Sequence, residues 1–442
     1  MTAQDATGYV ASGDPASMAA LDAFAEDFLG YRAEIGRIVA AAEADPSCAL
    51  ANAWAAALWM LTETRKGRAR AGRYLARAEA AAATERERLA VAHARAWAAG
   101  DSVAALAACE RSAEDFPRDL VAVKFGTYHA LNRGDAPALL RLPARVAEAN
   151  GEVAFLHGML AFGHEQCHAL GAAEASARRA MELRADEVWA HHALAHVLLT
   201  TDRADEGIET FRGLAPHWEG RNPFIVTHNW WHCCLFLLDR DRAEEALALY
   251  DRRVWALEKS WGQIQAGAVA LLARLELLGV DVGDRWAALA PHLATPVQRH
   301  VEPFIDLHLV YGLARAGDPA AGEVLDGIAA TAAAAHPATR AAWAEVALPA
   351  ARALAAHARG DAEACVRDLS PTLPRMHEIG GSHAQRDLFD QILIDALLRS
   401  GRLAQAQRML ALRHAFNPRV PATKRLLDRV LAAAKVPRHH GG

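Results

Sequence analysis

The feature that most constrains this chain is a recurring break. Glycine-aspartate steps punctuate it, each closing one amphipathic stretch and opening another: "AAGDSVAAL" at Gly100, "NRGDAPALL" at Gly134, "RAGDPAAGE" at Gly317, "ARGDAEACV" at Gly360, and the related "RSGRLAQAQ" at Gly401. Gly171 in "HALGAAEAS" and the polar steps "TTDRADEG" and "DRDRAEEA" take the same role. Glycine accepts the left-handed conformation that ends a helix, and an aspartate just after it suits an N-cap. Each step therefore reads as the corner of a helix–turn–helix unit. The first helices of successive units are expected to begin near Asp119, Glu152, Glu187 and Pro223.

Those starts recur at roughly 33 to 36 residues, the tetratricopeptide period. The segments "FLHGMLAFGHEQCHALGAAEASARRAMEL" and "VWAHHALAHVLLTTDRADEGIETF" carry the aromatic and small positions of that repeat in order. The expected fold is all-α, a tetratricopeptide-type α-solenoid, a right-handed superhelix whose first helices line a concave face. Composition agrees: 52% of residues are hydrophobic, with alanine strings such as "AARALAAHA", and only 7% are aromatic. Alanine has the best helix propensity and lets helices approach closely. The repeat fits less well from Trp255 to Thr295, after which intervals widen. The expected division is a disordered N-terminus (1–17), an N-terminal array (18–254), an irregular helical insertion (255–300), a C-terminal array (301–435) and a disordered tail (436–442).

A net charge of −5 and a pI near 6.5, without a basic block, argue against nucleic acid as a partner. No basic region precedes an apolar core at the N-terminus, and the longest uncharged run, "CALANAWAAALWML", is too short to span a membrane. Six cysteines without a C-x-x-C pair read as reduced, mostly buried thiols. A soluble, cytoplasmic protein is expected, of open oligomeric state.

The chemistry concentrates in histidine. In "VTHNWWHCCLF", His228 and His232 stand four residues apart on one helix face, and His192 and His196 do the same in "WAHHALAHV". The pairs are offset by 36 residues, one period, which places them at comparable heights on adjacent first helices. Packed helix axes lie about 8–10 Å apart, so the imidazoles can meet. Counting from Trp189 puts the first pair at packing positions; counting back from Asp202 turns it toward the groove. Lys124 and His157 occupy the equivalent position upstream. Asp306 and His308 in "PFIDLHLVYGLARAG", and Ser382, His383, Gln385, Arg386 and Asp387 in "EIGGSHAQRDLFDQ", form a second polar cluster, its helix start suited to a polar or anionic group. Glu165 and His168 have E-x-x-H spacing, with no second such pair on a partner helix. Of Trp230 and Trp231, one is expected to pack inside its repeat and the other to face a cavity.

In order along the chain, "FPRDLVAVKFG", "WAHHALAHV", "DEGIETF", "THNWWHCCLFLLD", "ALALYDRRV", "DLHLVYGLARAG" and "GGSHAQRDLFDQILIDALLRSGR" resemble segments of the tetratricopeptide repeat protein 38 family, over about Ala20 to Leu427. The resemblance implies a helical solenoid. It marks His192, His196, His228, Asn229, Trp231, His232, Asp306, His308, Gln385, Arg386 and Asp387 as positions matching the family's motifs, and implies no particular reaction. The chain departs from the family pattern at Thr127 and Tyr128, where His-Asp is usual, at Leu199, where Glu is, and at Gln166.

The leading expectation is a His- and Trp-lined central pocket for a small molecule, with His192, His196, His228 or His232 moving protons in an enzyme reaction. Asp306 would orient His308 or another imidazole through a hydrogen bond, Trp231 would stack on the ligand, and Arg386 would hold an anionic group. Asn229, Lys124, His157, Glu165, His383, Gln385 and Asp387 complete the expected lining. No cofactor is required by these residues, but the four histidines of the two pairs are also candidate ligands of a divalent metal. The alternative is a non-catalytic scaffold that holds a peptide or protein partner in its concave groove.

Overall fold

The computed structural model describes residues 2–297 and 299–435. Among them are 24 α-helices and one two-stranded hairpin. Eight helices form a continuous inner row, labelled here α1 (Leu120–Asn132), α2 (Ala154–Gln166), α3 (Val188–Thr200), α4 (Pro223–Leu238), α5 (Gly262–Leu277), α6 (Pro303–Arg315), α7 (Leu348–Ala358) and α8 (His383–Arg399). Each packs on the next, and helices such as Leu170–Leu183 and Ala204–Leu214 run between them as an outer row. The starts of α1 to α4 are 34, 34 and 35 residues apart, so the sequence period is the structural one.

Local chemistry sets the corners. Asp101, Asp119, Asp135 and Asp361 each accept a hydrogen bond from the amide three residues on, at 3.0, 3.2, 2.9 and 2.9 Å. The glycine before each step, where there is one, has a positive φ, as Gly134 does at 67°. Gly171 is a correction. It lies inside the Leu170–Leu183 helix, and His168, with φ 58°, makes that turn. The two polar steps turn on Asp202 and Asp241, aspartate being among the residues that tolerate the left-handed region.

The inner row is enclosed on nearly every side. In α3 every residue from Val188 to Leu198 except Trp189 is buried, and in α6 so is every residue from Pro303 to Leu313. A helix apolar or small around its whole circumference is one surrounded by protein. The chain curves until late segments seat on early ones: Arg65 N donates to Val297 O at 3.2 Å, and Arg419 N donates to Asp202 Oδ2 at 2.8 Å. The open concave groove expected along the first helices is therefore absent from α3 and α6.

Two expected boundaries change. Residues 2–17 are ordered: Thr2–Gln4 pairs antiparallel with Val10–Ser12, and a helix begins at Pro15. The anchor is distant in sequence. Arg86, 2% exposed, bridges Asp5 and, at 2.7 Å, Asp119, while Ser12 N donates to Glu87 Oε1 at 2.6 Å. In 255–300, Gly262–Leu277 and Arg285–Leu293 form a further helix pair rather than an insertion, sharing one apolar core with α4, α6, α7 and α8. Among the described residues the irregularity lies at the flanks, in a wide helical turn at Tyr250–Val254 and the turn at Arg299–Val301. The expected disordered tail, 436–442, lies outside the described residues.

Candidate functional site

The one-period offset does bring the two histidine pairs together. His192 and His196 on α3 face His228 and His232 on α4, and the five ring-to-ring distances among them run from 4.6 to 5.1 Å. His192 Nε2 lies 3.1 Å from His196 Nε2 and 3.2 Å from His228 Nε2. One imidazole nitrogen carries either a proton or a lone pair, so it cannot satisfy both neighbours. His192 Nδ1 and both nitrogens of His232 have no hydrogen-bond partner within the protein. One nitrogen each from His192, His228 and His232 lie within 4.8 Å of one another.

Aromatic rings lock this geometry. His192 stacks on Trp189 at 4.3 Å, and His228 lies between Phe224 at 5.3 Å and Trp231 at 5.4 Å, both nearly parallel to it. Trp231 is 1% exposed, with the Arg274 guanidinium 5.3 Å from its ring. Of the two tryptophans Trp231 is thus the packed one. Trp230, half-buried, meets Trp218 edge-on and carries Arg253 over its ring. Burial, and then the neighbouring rings, pushes the pKa of His192 and His232 well below the ordinary histidine value, and that of His228 down to about 3.

Glu165 on α2 joins the cluster from the third side. Its carboxylate, 0% exposed, lies 3.6 Å from His196 Nδ1 and also accepts from the Gln166 amide. Burial opposes its ionisation, yet the imidazoles of His196 and His383 hold its pKa below the usual glutamate value. Asn229, beside His228 on α4, is fully buried with neither amide atom partnered in the protein.

The C-terminal cluster reaches the same region in part. His383, at the start of α8, stacks on His168 at 4.4 Å, and Glu165 acts on the charge of both His383 and Arg386. Arg274 on α5 donates to Ala384 O at 2.7 Å, tying α8 to the Trp231 side. His308 is buried against Phe304 and Phe389, its Nδ1 on Phe304 O at 2.8 Å and its Nε2 without a protein partner.

Other expected residues are committed elsewhere. Asp306 accepts from the His300 amide and ring at 2.9 and 2.8 Å, so the imidazole it orients is His300 and not His308, and it holds the turn before α6. His157 sits on the Gly151 carbonyl at 2.8 Å, half-buried and apart from the cluster. Lys124 is clamped between Tyr31 and Trp189, 4.2 and 4.5 Å from their rings, and paired electrostatically with buried Glu187. Gln385 closes a capping box with Ser382, which answers the helix start expected to take an anion. Asp387 pairs with Arg413, and Arg386 donates to the Gly381 carbonyl.

Two cavities, of about 650 Å³ and about 260 Å³, are lined by residues other than the imidazole cluster. The larger lies where the first repeats meet the 300–343 segment, and its lining includes Arg65, Arg68, Tyr128 and Glu302, none read as functional from the sequence.

No protein-family model matches the chain. Among solved structures, the human IFIT1 dimer with PPP-AAAA is 12% identical, with a TM-score of 0.40 over 84% of this chain and 88% of that one. The same dimer with m7Gppp-AAAA is 12% identical, with a TM-score of 0.42 over 96% of each chain. Naa15/Naa10 bound to HypK-THB is 10% identical, with a TM-score of 0.26 over 96% of this chain and 69% of that one. Nothing those proteins bind transfers to this chain at such values. Its own geometry defines it as an all-helical, tetratricopeptide-like repeat protein, and among the described residues no helix is long and apolar enough to cross a membrane.

Proposed function

We propose that this helical-repeat protein holds a divalent transition-metal ion between α3 and α4, with His192, His228 and His232 as ligands. The observation that supports it best is the convergence of their three nitrogens, buried and short of hydrogen-bond partners. Each unpaired buried polar atom costs about 1–3 kcal/mol, and a cation that accepts lone pairs removes that cost for several at once. An all-imidazole set suits zinc, copper, iron or nickel better than magnesium or calcium. His196, turned by Glu165, has the carboxylate–histidine arrangement that orients groups beside such centres. When bound, the ion would supply Lewis-acid chemistry, and Glu165 with His196 would hold or move a proton next to it.

In this reading the histidines bind metal first and take part in acid–base chemistry only around it. The small molecule of the leading expectation would then approach from the His228 edge, the most exposed of the cluster at 8%. We assign the chain to the tetratricopeptide repeat protein 38 family as part of the same proposal, since its motif positions His192, His196, His228 and His232 make up the cluster. Six free cysteines, five of them buried, fit the cytoplasmic setting we propose. The test is metal content by plasma mass spectrometry on untagged protein, before and after dialysis against zinc or cobalt. Near-stoichiometric metal, with cobalt giving a ligand-field spectrum, and loss of both in His192→Ala/His232→Ala, is the expected result. Failure of the wild type to retain any of these ions would overturn the proposal.

A further inference from the structure

The 650 Å³ cavity is independent of the metal reading, because it shares no residue with the imidazole cluster. Its walls come from segments far apart in sequence, around residues 65–68, 97–102, 128–133, 300–303 and 327–343. Its charges are unevenly matched. Glu378 is taken by Arg375 at 2.6 Å, and Glu63, behind the wall, accepts from Tyr128 at 2.9 Å and from Gln263 at 2.8 Å. Glu302 meets Tyr128 at 3.5 Å. Burial raises both the Glu63 and the Glu302 carboxyl above the ordinary glutamate value, and the charge of Glu63 raises Glu302 further, so this side of the cavity favours the protonated forms.

Of the cations, Arg68 acts electrostatically on Glu302 and Tyr128 without reaching hydrogen-bond contact. Neither Arg65 nor Arg68 makes a side-chain hydrogen bond or ion pair among the described residues, and Arg68 Nε is buried without an acceptor. The Asn132 amide nitrogen, also on the wall, is buried and unpartnered in the protein. Three donor groups thus lack acceptors around one space, two of them guanidinium groups whose fork geometry matches a planar or tetrahedral oxyanion. Trp97 and Trp343 add flat apolar wall.

We propose that this cavity binds a small oxyanion-bearing molecule, a carboxylate or a phosphate, through Arg65, Arg68 and Asn132. The Tyr128 hydroxyl and the Glu302 carboxyl face the remainder of the ligand and hydrogen-bond its polar substituents. The test is calorimetric titration of the full chain with inorganic phosphate and with succinate, each at an ionic strength matched by sodium chloride. Saturable binding of at least one is expected, phosphate alone indicating a phosphoryl ligand and succinate alone an organic acid. Arg68→Gln should weaken it at least tenfold, and Arg65→Gln, exposed and so safe for folding, several-fold. Metal content should stay unchanged in both variants, which separates this site from the imidazole centre. Absence of saturable binding of both anions to the wild type, or equal binding by both variants, would overturn the proposal.

Discussion

Replacing His232 by leucine should change stability in opposite directions with and without metal. Both ring nitrogens of His232 are buried and lack protein partners. Removing one unsatisfied buried polar atom recovers about 1–3 kcal/mol, and the shape mismatch of leucine costs up to about 1.5 kcal/mol. In chelator-treated protein the variant should therefore be more stable than wild type by roughly 1 kcal/mol. In the presence of an ion at about 100 times its dissociation constant, the wild type gains about 2.7 kcal/mol. The variant, left with two of three ligands, gains little, so the order inverts. Urea denaturation of both proteins, with chelator and with zinc, reads the inversion. A variant less stable than wild type by more than about 1 kcal/mol in chelator would refute the reasoning, because it would mean that the nitrogens are already satisfied without an ion.

Three further outcomes follow from the packing. Gly381→Ala places a Cβ 2.5 Å from the Phe304 ring at a φ of 77°, so it should destabilise the protein, by about 1–3 kcal/mol from the backbone alone, read as a shifted urea midpoint. Arg86→Leu leaves Asp5 and Asp119 buried without their cation and should cost about 3–5 kcal/mol, with faster proteolysis of the first 12 residues. Burial raises the Glu63 carboxyl from its ordinary 4.5 to about 7, so across that window the native state holds more protons than the unfolded one. Stability contributed there must fall as pH rises from about 4.5 to 7, and Glu63→Gln should flatten that slope in denaturation curves taken across the window.

The sequence revealed what repeats and obscured what closes. The period, the capping aspartates and the paired histidines are local patterns, and they reappear where the spacing put them, except that Asp318 bends back onto the Ala320 amide and leaves the N-cap to Pro319. The imidazole cluster could be anticipated because its two halves lie one repeat apart, the shortest long-range relation a solenoid has. The N-terminal hairpin was not legible, since what orders it is Arg86, 81 residues from Asp5. Nor was the cavity, where Tyr128 meets Glu63 across 65 residues and Glu302 across 174. Asp306 was expected to orient His308 or another imidazole, and the ring it holds is His300, which a left-handed turn with φ 65° brings back onto it and which sequence spacing alone did not single out.

The aromatic residues interleaved with the histidines have a mechanical explanation that can be tested. Trp231 lies three residues after His228 on α4 and stacks on it with planes 7° apart, while Phe224, four residues before, covers the opposite face at 16°. An imidazole held from both sides by its own helix cannot leave its rotamer without displacing two rings. That restraint matters because ligand nitrogens must meet within a few tenths of an ångström of their ideal distance from the ion. Trp231→Leu keeps the space apolar but removes one face of the clamp. It should preserve the helical fold by circular dichroism while raising the dissociation constant for zinc by about 10–100-fold, the range seen when supporting groups around a metal site are lost. Unchanged zinc affinity in a folded variant would show that the tryptophan serves only the core, and that the close company of aromatics and imidazoles in "THNWWH" is a packing coincidence.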